Sequence, residues 1–231
     1  MDIKEIQEKK KEIAEAVRTL AGGGILTLTL GHVSWRDRES GNILVLGHTH
    51  KQDKFLTDIT QEDIIQIDCN GNVISGDYDP PGEVFIHTEI YKSRKDIFAV
   101  VHAHPDSCIA FSLANVPMFP AYYRASQFFP YIPIFDYAGQ INTKEKGQEC
   151  AKLIGDASAL LLRGHGIITV GQTIQEAAVN AFSAEKNASL ILAASHLGEI
   201  KAINSKDLKA HKPTSVWPYY VKKFDPLAQN L

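Results

Sequence analysis

The apolar positions change period several times along the chain, and each change marks an element. Ile3, Ile6, Ile13, Ala14, Val17 and Leu20 share one face of a helix, which Gly22-Gly23-Gly24 ends. The run ILTLTLGHVSWRD (25–37) then alternates and is rich in β-branched residues, which predicts a strand or strand pair. NILVLG (42–47) predicts another strand. ITQEDIIQIDCNGNVISG (59–76) predicts a short helical turn and two strands joined at Asn70-Gly71, a hairpin signal. After Pro80-Pro81-Gly82, EVFIHTEIYKSR has helical spacing, with Val84, Phe85, Ile90 and Tyr91 on its apolar side.

FAVVHAHP (98–105) reads as a buried strand that stops at Pro105, and DSCIAFSLA as a short helix. YIPIFDYAG (131–139) is an irregular strand. TKEKGQECAKLIGD (143–156) is a helix with Thr143 as N-cap. SALLLRGHGIITVG gives a strand, a glycine turn and a second strand, and the stretch from Thr173 to Gly198 is the longest helix. Helices alternate with strands, yet hairpin signals dominate the strand joins. The expected fold class is α/β, an α/β/α sandwich with a mostly antiparallel central sheet.

No repeat, low-complexity run or linker divides the 231 residues, so one domain over 1–231 is expected, with 205–231 as a tail that packs on the body or closes over a site. A formal net charge of -3 leaves no basic face for nucleic acid. No apolar run reaches the roughly 20 residues of a membrane helix, and the charged start carries no signal-peptide core. Cys69, Cys108 and Cys150 are scattered and unpaired, which predicts reduced, buried thiols and a cytoplasmic protein.

Nine histidines are the chemically informative residues. His102 and His104 sit at i and i+2 at a strand end, so both imidazoles project to one face, a common way to supply two metal ligands. A solvated or core-paired histidine couple has the same spacing. His165 lies between Gly164 and Gly166, where the backbone turns tightly and leaves the ring accessible. Three histidines leave a coordination position open, as a catalytic metal requires. Glu83 opens a helix, where a carboxylate serves either capping or chemistry. His87, one turn on, is a partner of the site or a buried polar residue. His48-Thr49-His50 lies in a polar loop and reads as solvated. His196 ends the long helix and His211 lies in the tail; neither is given a role.

Together these segments resemble the class II aldolase and adducin family. The resemblance rests on PPGEVFIHTEIYKSRKDIFAVVHAHPDSCIAFS, on ALLLRGHGIITVGQTIQEAAVNAFSAEKNA, and on GHVSWRD, where His32 stands in place of the usual Asn. It runs over about residues 5 to 200. It implies His102, His104 and His165 as ligands of one divalent metal ion (zinc, manganese, cobalt or iron) and Glu83 as the catalytic acid/base. It also implies a small-molecule substrate and a cyclic homotetramer with sites at subunit interfaces. His32 is expected to orient or protonate substrate, and Tyr122 or Tyr123 to protonate it from a neighbouring subunit.

The sugar-phosphate aldolases of the family hold phosphate with donors that here read His32, a non-matching loop at residues 46–50, and Pro81-Gly82. Proline lacks an N–H and glycine a hydroxyl, so most phosphate donors are missing. This pattern is similar to the family's decarboxylase branch. It implies a metal-dependent carbon–carbon lyase acting through a stabilised enolate on a hydroxy-carboxylate, with Arg124 gripping a carboxylate and the aromatic run at 119–133 walling the substrate or packing an interface. An aldolase or epimerase on a small sugar is the alternative. A non-catalytic scaffold on this fold would be expected to lose ligands, and here all four residues are present.

Overall fold

The computed structural model describes residues 2–48, 54–114, 116–208 and 213–230. Its elements, in chain order, are α1 (Ile3–Gly22), β1 (His32–Arg36), β2 (Ile43–Leu46), β3 (Ile64–Ile67), β4 (Val73–Ser75), α2 (Val84–Ser93) and β5 (Ala99–Ala103). Then follow α3 (Asp106–Ser112), β6 (Ile134–Phe135), α4 (Lys144–Ile154), β7 (Ala159–Leu162), β8 (Gly166–Gly171), α5 (Ile174–Ser195) and α6 (Trp217–Phe224). The strands form one sheet in the order β4-β3-β2-β1-β5-β8-β7-β6. Every neighbouring pair is antiparallel except β6 and β7.

The sheet is covered on both sides, as the near-continuous apolar runs of its central strands require. Val33, Leu44, Val101, Leu161 and Ile167 meet the faces of α1 and α5, including Val17, Leu20, Ala177 and Ala181. Val45, Ile65, Val100, Leu160 and Ile168 meet α2 and α4 through Ile86, Ile90 and Ile154. The sandwich expected from the pattern is therefore the observed one.

Strand β1 departs from a simple buried strand. Val33 and Trp35 enter one core, while His32, Ser34 and Arg36 turn to the α2 side and are buried there. Arg36 lies under the C-terminal end of α2 and donates to the carbonyls of Tyr91, Arg94, Lys95 and Ile97. One guanidinium thus satisfies the orphan carbonyls of a helix end.

Two expectations need correction. The run 25–30 is not a strand. The N–H groups of Ile25 and Leu26 return to the Leu20 carbonyl, so this segment finishes α1. Leu28 then takes φ 55°, which breaks the extended path. Alternation was present, but only Ile25 and Leu26 are buried, while Leu28 and Leu30 face outward. Cys69, expected buried, is exposed because it sits in the β3–β4 hairpin beside Gly71, whose φ is 92°. Cys108 and Cys150 are buried and free; burial first of all raises both thiols, Cys150 to about 12, so neither is a thiolate nucleophile.

The described tail packs on the body. Trp217 Nε1 donates to Glu15 (3.0 Å), Arg18 pairs with Asp225 (2.9 Å), and Tyr220 stacks on Phe182 at 4.3 Å between ring centroids. Among the described residues no helix is long and apolar enough to cross a membrane.

Candidate metal centre

Strand pairing builds the centre. His102, next to last in β5, lies directly opposite His32 on β1. The pleat sends His102 to the α2 side, and His104 follows just past the strand, with the two rings 4.5 Å apart. The β7–β8 turn delivers His165, whose ring lies 5.0 Å from His102 and 5.1 Å from His104. That approach demands glycine at 166, since a Cβ there would sit 2.2 Å from the Ala103 carbonyl oxygen.

Glu83 stands at the N-cap position of α2 but makes no side-chain cap bond. Its Oε1 accepts from the Ile141 N–H at 2.7 Å, which turns Oε2 toward His102 Nε2 (3.2 Å) and His165 Nε2 (3.6 Å). One donor atom from each of Glu83, His102, His104 and His165 falls within 4.8 Å of the others. Helix capping therefore does not explain Glu83, and solvation does not explain the histidines.

The atoms at the centre need a positive charge. His102 Nδ1 lies 3.1 Å from the Ile167 carbonyl, an obligate acceptor, so Nδ1 carries the proton. Nε2 is then a lone pair, sealed from solvent without a hydrogen-bond partner, and faces a carboxylate oxygen. Two lone pairs at that distance repel unless a proton or cation lies between them. A proton would satisfy one pair; three imidazoles and a carboxylate supply donors for a cation. Burial first, then His102 and His165, drives the His104 imidazole down to about 3, which keeps it in the neutral, ligating form. Burial also pushes His32 well below the ordinary histidine range, followed by its neighbours His87 and His102.

Burial alone would raise the Glu83 carboxyl. Positive charge at the facing His102 and His165 imidazoles, or on a cation between them, together with the Ile141 N–H, outweighs it, and the group is held well below the usual carboxylate range.

A cavity of about 370 Å³ opens on the cluster. It is lined by Thr29–His32, Leu46–His48, Pro81–Glu83, His104, Ala138, Gln140, Gly164 and His165, with no lysine or arginine among the described residues. His32 and His48 are therefore at the site; His50 lies outside the described residues. Tyr123 and Arg124 are not brought to it within one chain. The Arg124 Nε donates to the Tyr123 hydroxyl at 2.7 Å, and Arg124 lines a separate cavity with Tyr122, Phe182, Tyr220 and Phe224.

A model of the class II aldolase and adducin N-terminal domain matches residues 11–192. The chain belongs to the class II aldolase and adducin family. Within it, a 3,4-dihydroxyphthalate decarboxylase of Arthrobacter keyseri is 31% identical over 199 residues, covering 82% of this chain and 79% of that protein. An L-fuculose phosphate aldolase of Methanococcus maripaludis is 34% identical over 162 residues, covering 69% of this chain and 83% of that one. The solved L-fuculose 1-phosphate aldolase of Glaciozyma antarctica superposes with a TM-score of 0.82 at 22% identity, over 98% of this chain and 92% of that chain. These relatives of the family are lyases of two kinds.

Three features of this family member escaped the sequence. The Ile141 N–H that aims Glu83 is a backbone group with no side-chain signature. The lining by Thr29, Leu30 and Gly31 was hidden by the strand-like run. The burial of His32 against His87 was signalled, by polar residues at alternate positions of GHVSWR and by His87 and Tyr91 four apart on α2.

Proposed function

We propose that this protein is a metal-dependent carbon–carbon lyase that decarboxylates a non-phosphorylated hydroxy-carboxylate. The observation that carries it is the convergence of Glu83, His102, His104 and His165 within 4.8 Å at the floor of an open cavity. His102, His104 and His165 would hold the cation, with Glu83 beside it. Zinc, manganese, cobalt and iron all suit such a donor set. A bound divalent cation supplies a Lewis acid that polarises substrate oxygens and takes up the charge left when a bond to carbon breaks.

The chain's own residues do the rest. Glu83 accepts a proton from a substrate hydroxyl and returns it to carbon after the bond has parted. The Ile141 N–H fixes that carboxylate so that one oxygen stays free for the exchange. His32, on the cavity wall, orients a substrate oxygen. Leu46 and Pro81 present apolar surface to the flat part of a ligand.

Two observations favour a carboxylate over a phosphate. Pro81 and Gly82 line the cavity without hydroxyl donors, and no described lysine or arginine is there to grip the oxygens of a single phosphate group. The 34% identity to an L-fuculose phosphate aldolase supports the second reading, an aldolase acting on a small sugar. The deciding experiment supplies the metal-loaded protein with 3,4-dihydroxyphthalate and, separately, with L-fuculose 1-phosphate. Metal-dependent release of CO2 supports the proposal. Cleavage of the sugar phosphate without decarboxylation replaces it with the aldolase reading.

Tyr123, Phe129 and Tyr131 are each about half exposed. We propose that Tyr123 and Arg124 serve the cavity of a neighbouring subunit in a homotetramer.

A further inference from the structure

Behind His32 lies a chain of buried polar side chains. His32 Nδ1 is 2.6 Å from His87 Nε2, and His87 Nδ1 is 2.6 Å from Ser34 Oγ. Ser34 Oγ is 2.7 Å from the Tyr91 hydroxyl. Ser34 and His87 are fully buried and Tyr91 nearly so. Neither imidazole nor hydroxyl in this chain fixes its own donor, so the direction must come from an end.

The Tyr91 end decides it. The phenol has two acceptors within reach, Ser34 Oγ at 2.7 Å and the Phe98 carbonyl at 3.4 Å. The first distance is optimal for O–H···O and the second is long. Tyr91 therefore donates to Ser34, and the Ser34 hydrogen goes to His87 Nδ1. With Nδ1 accepting, a fully buried neutral His87 carries its proton on Nε2 and donates it to His32 Nδ1. A proton on His32 Nδ1 would bring two N–H groups face to face at 2.6 Å. The His32 proton is thus left on Nε2, the ring nitrogen that makes no bond among the described residues, on a residue that lines the cavity.

We infer that Tyr91, Ser34 and His87 form a one-way hydrogen-bond chain that holds His32 as its Nε2–H tautomer and presents that N–H to the cavity as a donor to a substrate oxygen. The identity of the acceptor rests on the reaction proposed above; the direction of the chain does not. His87, Ser34 and Tyr91 are positioning residues, since they act through His32. In a cavity without described cationic side chains, a fixed neutral donor next to the cluster selects a ligand with a carboxylate or carbonyl oxygen adjacent to its chelating oxygens.

The test is nitrogen NMR of 15N-histidine-labelled protein, zinc-free and zinc-loaded, with His32 assigned through His32→Gln. The expected spectrum shows His32 and His87 each protonated at Nε2 alone. A proton on His32 Nδ1, or two tautomers of His32 in exchange, overturns the inference. His87→Gln can accept from Ser34 and donate to His32, so it should keep the His32 tautomer. His87→Met should release it into a mixture, and a His32 that stays wholly Nε2–H in that variant removes the positioning role. Tyr91→Phe offers a second variant, expected to mix the tautomers by deleting the donor that sets the direction.

Binding of 2,3-dihydroxybenzoate to the zinc-loaded protein reads the consequence. His87→Met should weaken it by the inverse of the Nε2–H fraction that the spectrum reports, about twofold for an even mixture, with zinc stoichiometry unchanged and with recovery in His87→Gln. Equal affinity in all three proteins contradicts the donor role. If zinc does not bind at all, the proposed reaction fails, while the zinc-free spectrum still decides the tautomer.

Discussion

Glu83 has an ordinary reason to stand at the start of α2, and the structure gives it a different one. Its carboxylate caps nothing; it is gripped by the Ile141 N–H and directed at His102 and His165. Glu83→Gln keeps the shape and one acceptor oxygen but cannot carry a proton. Turnover should fall by about 10²- to 10⁴-fold while elemental analysis finds the metal retained; near-normal turnover would take Glu83 out of the chemistry. His104→Ala should lose metal by the same analysis, and full occupancy would remove His104 from the ligand set.

His87 adds a pH dependence to stability. Burial, then the nearby His102, lowers its value from 6.5 to about 3 in the folded protein. Between those values the unfolded chain takes up a proton that the folded one refuses. Stability is therefore lost as pH falls through that window, by up to about 1.4 kcal/mol per pH unit for one such group. Urea midpoints of the metal-free protein should drop from pH 7 to pH 4, and less steeply in His87→Gln. Equal slopes would contradict the burial of a neutral imidazole. The cluster of Glu83, His102, His104 and His165 was legible in the sequence because a pair at i and i+2, a histidine between glycines and a helix-opening Glu occur together. Glu83's direction of shift was not legible, since it depends on which groups the fold places around the carboxylate.

At the scale of elements, periodicity located most helices and strands, and failed where two signals overlapped. The run 25–30 alternates like a strand, but the preceding helix had carbonyls still to satisfy, and Leu20 captured both Ile25 and Leu26. Thr143 was readable as the N-cap of α4, and its side chain accepts from the Lys146 N–H at 3.3 Å. Close approach of backbones was not readable. Gly166→Ala forces a Cβ against the Ala103 carbonyl in the neighbouring strand, where nothing flexible can yield. Chemical denaturation should show a loss of about 1–3 kcal/mol, and zinc titration a weakened site, because the same turn carries His165. Unchanged stability would mean that β5 and β8 are not packed as described.

For the whole molecule, the sandwich leaves the centre at one end of the sheet, where β1, β5 and the β7–β8 turn meet the start of α2. The tail packs on α1 and α5, and Arg124 lines a separate cavity. If Tyr123 and Arg124 act across an interface, mixing inactive Glu83→Gln subunits with inactive Arg124→Ala subunits should restore partial turnover. No recovery after verified subunit exchange would reject a shared site.

Everything rests on His102, His104 and His165 meeting at one cation. The most direct measurement is an anomalous difference map from crystals grown with zinc, recorded on both sides of its absorption edge. A single strong peak within coordinating distance of all three imidazoles, about 2.0–2.1 Å, is the expected result. A map with no peak between those rings, or with zinc held only elsewhere, would contradict the account.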